Sequence, residues 1–155
     1  MEQKTKINAE AGRQEMYITR EFDLPVDLLF RAHTEAGLIE QWMGNKVLKL
    51  ESKKHGSYEF EIRDPQGNIV FSANGVIHEF ITDKRITRTF EMGNSNFGVQ
   101  LEVYEFEALT EDTSRLNMHV IYESVEKRDG VLKLPFAQGL NWAHNRLEEV
   151  AAKLK

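Results

Sequence analysis

Residues 132–155, LKLPFAQGLNWAHNRLEEVAAKLK, are typical of one helix of about 20 residues, which would be about 30 Å long. Apolar side chains recur along this segment at helical spacing and form a single stripe: Phe136, Leu140, Ala143, Leu147, Val150 and Leu154. Such a stripe is long enough to lie across a whole β-sheet. The segment therefore predicts a fold in which a sheet packs against one long C-terminal helix.

Upstream of this helix, apolar and polar residues alternate with a period of two from residue 46 to residue 123. Six segments are predicted strands: VLKL, GSYEFEIR, NIVFSANGVIHEFI, RITRTFEM, FGVQLEVYEFEAL and SRLNMHVIYE. Turn sequences such as DPQGN and TDK join them, and short connections favour antiparallel neighbours. MYITREFD, at residues 16–23, is the predicted first strand and brings the total to seven.

The period changes to that of a helix in DLPVDLLFRAHTEAGLIEQWMG, residues 23–44. Pro25 suits a first helical turn, Gly37 lies near a join between two short helices, and Gly44 suits a helix end. The predicted fold is α+β: a curved seven-stranded antiparallel sheet wrapped around the long C-terminal helix, with two short helices after the first strand. We expect one domain over residues 1–155, with the polar residues 1–14 partly disordered.

Composition and motifs exclude several classes of function. The chain has 20 Lys and Arg against 25 Asp and Glu, a net charge of −5, which argues against nucleic-acid binding. It has no cysteine, its five histidines lack metal-ligand spacing, and it has no nucleophile or nucleotide motif, so we assign no catalytic residue, metal or cofactor. No apolar run could serve as a signal peptide or cross a bilayer, so we expect a cytoplasmic protein without a membrane partner.

Four segments resemble, in the same order, the family of the activator of the Hsp-90 ATPase: YITREFDLPVDLLFRAHTEAGLIEQWMG, GSYEFEIRDPQGN, RITRTFEM and GLNWAHNRLEEVAAKL. The resemblance extends from about Lys6 to Leu154. Met43 and Asn45 stand where the family often has a second tryptophan and a proline, and TDK replaces a proline-rich turn. The resemblance implies the START-like, helix-grip fold, with a cavity between the sheet and the long helix that often holds apolar small molecules.

The candidate ligand-binding residues combine this resemblance with the phase of the strands: Trp42, Met43, Tyr58, Phe60, Phe71, Ala73, Arg88, Phe90, Glu105, Phe136 and Leu140. The two short helices would form a lid, with Trp42 and Met43 at one end of the cavity. The residue pattern by itself favours a filled hydrophobic core, and only the family resemblance makes a ligand cavity a comparable interpretation. Sequence alone leaves both interpretations open.

Arg88 shares the inward phase of Ile86 and Phe90, so its charge needs a ligand anion, a structural ion pair or solvent that it reaches along its stem. Glu105 and Glu107 are its predicted partners. We further expect that either His78 or Glu79 faces the interior, depending on a bulge at Gly75. His119 should face outward, and His144 should lie at the border of the buried stripe rather than in the cavity.

Three functions remain open. The favoured hypothesis is a protein that binds a small apolar or amphipathic molecule. One alternative is a cyclase- or aldolase-type enzyme that uses acid and base residues in the cavity. The other is a module that contacts a chaperone or forms a homodimer, with Trp142, beside the buried stripe, as a contact.

Overall fold

The structure, a computed structural model, describes residues 3–155, which form eight β-strands and four α-helices. The strands are β1 (Lys6–Asn8), β2 (Glu15–Phe22), β3 (Lys46–Leu50), β4 (Ser57–Arg63), β5 (Ile69–Ile81), β6 (Arg85–Met92), β7 (Val99–Ala108) and β8 (Ser114–Ile121). The helices are α1 (Val26–Thr34), α2 (Ala36–Met43), α3 (Val125–Leu132) and α4 (Phe136–Ala152). The predicted α+β class is confirmed.

The eight strands form one antiparallel sheet in the order β1-β2-β8-β7-β6-β5-β4-β3. Strands β3 to β8 follow one another as the expected meander. The chain leaves β2 near one edge of the sheet and returns as β3 at the opposite edge, and helices α1 and α2 make this crossing. Phe30 of α1 meets Phe80 and Phe106 of the sheet edge-on, at 5.3 and 5.0 Å between ring centroids, which fixes these helices on one face.

The sheet has one strand more than the sequence predicted. Lys6–Asn8 pairs with β2, with Ile7 opposite Ile18, so this part of the N-terminal segment is an edge strand rather than disordered chain. The backbone N–H groups of Lys4 and Thr5 both donate to Oδ1 of Asn141 on α4. The start of the described chain is therefore fixed to the C-terminal helix. Residues 1 and 2, which the expectation of disorder also covered, lie outside the described residues.

The predicted boundaries of the two short helices are confirmed. α1 begins directly after Pro25, whose φ of −57° suits a helix start. Glu35 is extended and separates α1 from α2. Gly44 ends α2 in the left-handed conformation at φ 69°, and its N–H donates to the carbonyl of Glu40.

The C-terminal helix is shorter than predicted, and a separate helix precedes it. α4 has 17 residues and begins after Pro135, which lacks the N–H that a continuous helix would need. Helix α3 was not predicted from the sequence. Its start is capped by Ser124, whose Oγ accepts a hydrogen bond from the backbone N–H of Lys127 at 3.1 Å.

The core lies between the inner face of the sheet and helices α1, α2 and the C-terminal half of α4. Leu147 and Ala151 are completely buried there, whereas Phe136, Leu140 and Ala143, nearer the start of α4, are only partly buried. The second half of the helix thus packs tightly, and the first half leaves space beneath it. Within residues 3–155, no helix combines the length and the apolar character that a membrane span requires.

Candidate functional site

A cavity of about 550 Å³ lies between the inner face of the sheet and helices α2 and α4. Its walls are mainly aliphatic and aromatic, and its few polar groups are contributed chiefly by β6, β7, α1 and α4. Of the predicted ligand-binding residues, the following line it: Trp42, Met43, Phe60, Phe71, Arg88, Phe90, Phe136 and Leu140. Tyr58 and Ala73 are instead buried in the surrounding core, at 2 and 1 % exposure.

Glu105 does not belong to the site. It lies on the outer face of the sheet, where its side chain is 55 % exposed and accepts a hydrogen bond from Nη1 of Arg85 at 2.5 Å. The residues of β7 that face inward include Gln100, which lines the cavity, and the buried Glu102, Tyr104 and Phe106. The prediction was wrong because Val99, Leu101 and Val103 are apolar but lie on the outer face, so they suggested the opposite phase.

Neither His78 nor Glu79 faces the cavity, contrary to the expectation that one of them would. The register of β5 and β6 shifts between Ile77, opposite Arg88, and Glu79, opposite Thr87. The bulge thus lies at His78 rather than at Gly75. His78 is exposed, and the carboxylate of Glu79 accepts a hydrogen bond from Nε of Arg85 at 2.6 Å on the outer face.

The polar wall of the cavity is a hydrogen-bonded cluster centred on Glu102. Its Oε1 accepts hydrogen bonds from Nε of Arg88 at 2.8 Å and from the hydroxyl of Tyr104 at 2.9 Å. Its Oε2 accepts one from Nε2 of Gln100 at 2.8 Å. Nη2 of Arg88 donates to the hydroxyl of Tyr104 at 2.7 Å. Arg88 therefore has a structural ion-pair partner, which is Glu102 and not the predicted Glu105 or Glu107.

Aromatic rings hold the Arg88 guanidinium in place. Its Cζ lies 4.6 Å from the ring centroid of Tyr58, 4.9 Å from that of Tyr104 and 6.0 Å from that of Phe90. Burial raises the pKa of Tyr104 well above its ordinary value, so this hydroxyl keeps its proton at neutral pH. Within residues 3–155, Nη1 of Arg88 makes no hydrogen bond, and it is the guanidinium nitrogen left for a ligand.

His33 lines the cavity from α1, a position that the sequence analysis did not select. Its Nδ1 lies 2.9 Å from the carbonyl oxygen of Leu29, and its ring meets those of Trp42, Tyr104 and Phe106 edge-on at 5.3 to 5.7 Å. Burial, together with the positive charge of Arg88, lowers its pKa to about 4. His33 is therefore neutral at pH 7.

His144 also lines the cavity, so its expected place at the border of the buried stripe was wrong. It is only 1 % exposed, and its Nδ1 lies 2.8 Å from the hydroxyl oxygen of Thr5. Burial lowers its pKa to about 3, and the positive charge of Arg20, joined in acid by that of protonated His33, acts in the same direction. With two neutral histidines and the paired Arg88 and Glu102, the cavity wall carries no net charge at neutral pH.

Trp42 belongs to the core as well as to the cavity wall. It is 6 % exposed, and its indole N–H donates to the carbonyl oxygen of Ala32 at 2.8 Å. The cavity reaches the surface elsewhere, where Leu134 and Gly139 line it and are themselves exposed. This opening lies at the junction of α3 and α4. Trp142 is 53 % exposed, with the guanidinium of Arg146 5.2 Å from its ring centroid.

No group of three or more histidine, aspartate or glutamate side chains is arranged to hold a metal ion in the part of the chain that the structure describes. The hydrogen-bonding side chains on the cavity wall are those of the Glu102 cluster, the two histidines, Trp42 and Tyr122, and the last two donate to the carbonyl of Ala32 and to Sδ of Met16. This arrangement is suited to orienting a neutral molecule. It offers no pair of free ionised groups for proton transfer.

Comparison with solved structures supports the fold. A protein from Rhodobacter sphaeroides is 19% identical, with a TM-score of 0.84, over 96% of this chain and 99% of that one. A protein from Mycobacterium smegmatis is 18% identical, with a TM-score of 0.82, over 94% of this chain and 95% of that one. A protein from Nitrosomonas europaea is 20% identical, with a TM-score of 0.78, over 96% of this chain and 100% of that one. At this level of identity, the likeness concerns the fold alone.

No curated protein matches this sequence. The sequence profile of the family described as "Activator of Hsp90 ATPase homolog 1-like protein" matches residues 23–152, which is most of the chain. The match includes the two short helices, strands β3 to β8 and α4, and so covers the whole cavity wall except Ile18 of β2. The resemblance found in the sequence is thereby confirmed: the chain belongs to the family of Activator of Hsp90 ATPase homolog 1-like proteins.

Proposed function

We propose that this protein binds a small, mainly apolar molecule in the cavity between the sheet and α4, and that binding rather than catalysis is its function. The observation that carries this proposal is the cavity itself. Protein interiors are normally packed as densely as organic crystals, with few voids larger than a water molecule. A cavity of about 550 Å³ is therefore an exception to this close packing, and we attribute it to the binding of a ligand.

The size and lining of the cavity support this function. Sites for drug-sized ligands have volumes of roughly 300–1,000 Å³, mostly apolar walls and a few polar groups that orient the ligand. This cavity has all three properties. Its apolar wall gives affinity through the hydrophobic effect, and the Glu102 cluster gives the ligand a preferred orientation.

The chemistry of the polar groups favours binding over catalysis. A general base works best when its pKa lies near the working pH. His33 has a pKa of about 4, and the oxygens of Glu102 are already engaged by Arg88, Tyr104 and Gln100. The enzyme alternative would need one of these groups to be released from its partners.

Trp42 provides a direct test, because the chain has only two tryptophans and only Trp42 lines the cavity. In a Trp142→Phe variant, all tryptophan emission comes from Trp42. We would titrate this variant with the neutral dye N-phenyl-1-naphthylamine and expect saturable quenching of Trp42 with one dye per chain. Native mass spectrometry of protein purified gently from its own cells should also reveal a stoichiometric small molecule that is lost on denaturation.

A pair of alanines supplies the control. Ala143 lines the cavity, whereas Ala152 is exposed at the end of the same helix. Ala143→Phe should fill part of the cavity and weaken dye binding, and Ala152→Phe should leave it unchanged. Equal affinity in both variants, or a wild-type protein that binds no apolar probe, would refute the proposed function.

A further inference from the structure

The hydrogen bonds of His33 determine what its free nitrogen can do. A carbonyl oxygen can only accept a hydrogen bond, so the 2.9 Å contact between Nδ1 and the carbonyl of Leu29 requires the proton to be on Nδ1. In the neutral ring, Nε2 is then an unprotonated acceptor. Within the described residues 3–155 no group donates to it, although the ring lines the cavity. The protein thus presents one unused acceptor to any bound molecule.

Arg88 presents the complementary group. Its Nε and Nη2 are bound by Glu102 and Tyr104, and its Nη1 has no partner among the residues that the structure describes. The ring of Tyr104 lies against both side chains, at 5.7 Å from the ring of His33 and 4.9 Å from Cζ of Arg88. An acceptor and a donor therefore flank one aromatic ring on an otherwise apolar wall.

From this arrangement we infer that the ligand is an uncharged apolar molecule with a hydroxyl group. The hydroxyl donates a hydrogen bond to Nε2 of His33, and a ligand oxygen accepts a hydrogen bond from Nη1 of Arg88. The inference rests on the proposed function and adds the chemical class of the ligand. Glu102 already balances the charge of Arg88. A carboxylate would therefore enter a site without excess positive charge and lose its hydration, and an ammonium group would lose its hydration and find no free anion.

Four probes with the same ten-carbon chain separate these possibilities: 1-decanol, its methyl ether, decanoate and decylammonium. Their affinities can be measured by displacement of N-phenyl-1-naphthylamine from the Trp142→Phe protein. We expect 1-decanol to bind on the order of tenfold more tightly than the methyl ether, which keeps the oxygen but lacks the proton. The two ions should bind more weakly than the alcohol.

The variant His33→Phe keeps an aromatic ring in contact with Trp42 and Phe106 but removes the acceptor. It should abolish the difference between alcohol and ether, and it should do so by weakening the binding of the alcohol. His119→Phe is the matched control, because His119 lies on the outer face, stacked on Tyr17 at 4.4 Å, and this variant should keep the full difference.

The possible results separate this inference from the proposed function. Equal binding of alcohol and ether by the wild-type protein would overturn the hydroxyl assignment and leave apolar binding intact, whatever the variants do. Tightest binding of decanoate would overturn the assignment in favour of an anion held by Arg88. Failure of every probe and of the dye to bind would overturn both.

Discussion

Glu102 and Arg88 are directly opposite each other on β7 and β6, and their side chains form an ion pair of 2.8 Å on the inner face of the sheet. The two side chains are only 7 and 15 % exposed. Three residues away along β6, Arg85 stands opposite Glu105 and forms an ion pair with it on the outer face, at 37 and 55 % exposure. The same two strands thus carry a buried and an exposed pair of the same chemistry.

The first prediction uses this contrast. Glu102→Gln leaves a buried arginine without its counter-charge, so it should lower the free energy of unfolding by about 3 kcal/mol. Glu105→Gln removes the same charge from the exposed pair and should have a much smaller effect, because water screens that interaction. Urea denaturation of both variants measures the difference. Similar losses would mean that the Arg88–Glu102 pair is no more important to stability than the exposed pair.

Glu102→Gln should also change which ligands the cavity prefers. Without the carboxylate, the charge of Arg88 is unopposed, and decanoate should gain affinity relative to 1-decanol. Glu105→Gln should leave that ratio as it is in the wild-type protein. Displacement of the dye by each probe gives the ratio directly. An unchanged ratio in Glu102→Gln would show that Arg88 does not contact the ligand.

The second prediction concerns Trp42, which the sequence analysis assigned to a lid at one end of the cavity. Trp42 is 6 % exposed and is bonded to the carbonyl of Ala32, so Trp42→Ala should lower the free energy of unfolding by about 3–5 kcal/mol. Trp142→Ala removes the same side chain from a half-exposed position and should cost far less. A small loss for Trp42→Ala, with weaker dye binding, would restore the lid interpretation.

Much of the fold could be predicted because alternation and helical spacing report burial directly. The meander, the two short helices and the end of α2 at Gly44 all follow from such patterns. Strand β1 was missed as a strand because three residues are too few for alternation to be visible. Helix α3 was missed because only Arg128 and Val131 are buried along it, and this leaves no apolar stripe.

The site was harder to predict than the fold. His33 and His144 both fall at helical spacing from apolar neighbours, Leu29 and Leu147 among them, so a signal existed. For His144 it was interpreted as a border position, and His33 was not selected. On β7 the outer face is apolar and the inner face carries Glu102, so polarity alone gave the wrong phase. Whether the interior is open or filled depends on volume and not on residue type, and sequence does not report volume.

The third prediction is a loss of stability in weak acid. The pKa values of His33 and His144 are about 4 and about 3, against 6.5 for an ordinary histidine. Below pH 6.5 the unfolded chain therefore binds protons that the folded chain does not bind. The free energy of unfolding should fall as the pH falls from 6.5 towards 3, by a few kcal/mol in total.

Denaturation at pH 7.0, 5.5 and 4.5 tests this prediction, and variants isolate the contribution of the histidines from that of the carboxylates. His144→Gln should make stability less dependent on pH between 6.5 and 4.5. His78→Gln, at an exposed position on the outer face, should keep the wild-type slope. If both variants behave alike, the buried histidines are not the cause of the acid sensitivity.

The fourth prediction separates stability from binding at Gly139. A Cβ added at Gly139 would meet no atom within 4 Å, and the residue lines the cavity at its opening. Gly139 is therefore not needed for close packing of α4 on the sheet. Gly139→Ala should raise the free energy of unfolding by about 0.5–1 kcal/mol, because glycine is unfavourable inside a helix.

A larger side chain at the same position should obstruct the opening. Gly139→Leu should remain at least as stable as the wild-type protein and yet bind 1-decanol roughly tenfold more weakly, equivalent to about 1.4 kcal/mol. Gly37 is the matched control, because it lies on α2, also has no atom within 4 Å of an added Cβ and is not part of the cavity wall. Gly37→Leu should change the free energy of unfolding in the same direction without changing the affinity for 1-decanol. If Gly139→Leu is as stable as the wild-type protein, weaker binding of decanol cannot be attributed to a disturbed fold. Unaltered decanol affinity in Gly139→Leu would place the entrance to the cavity elsewhere.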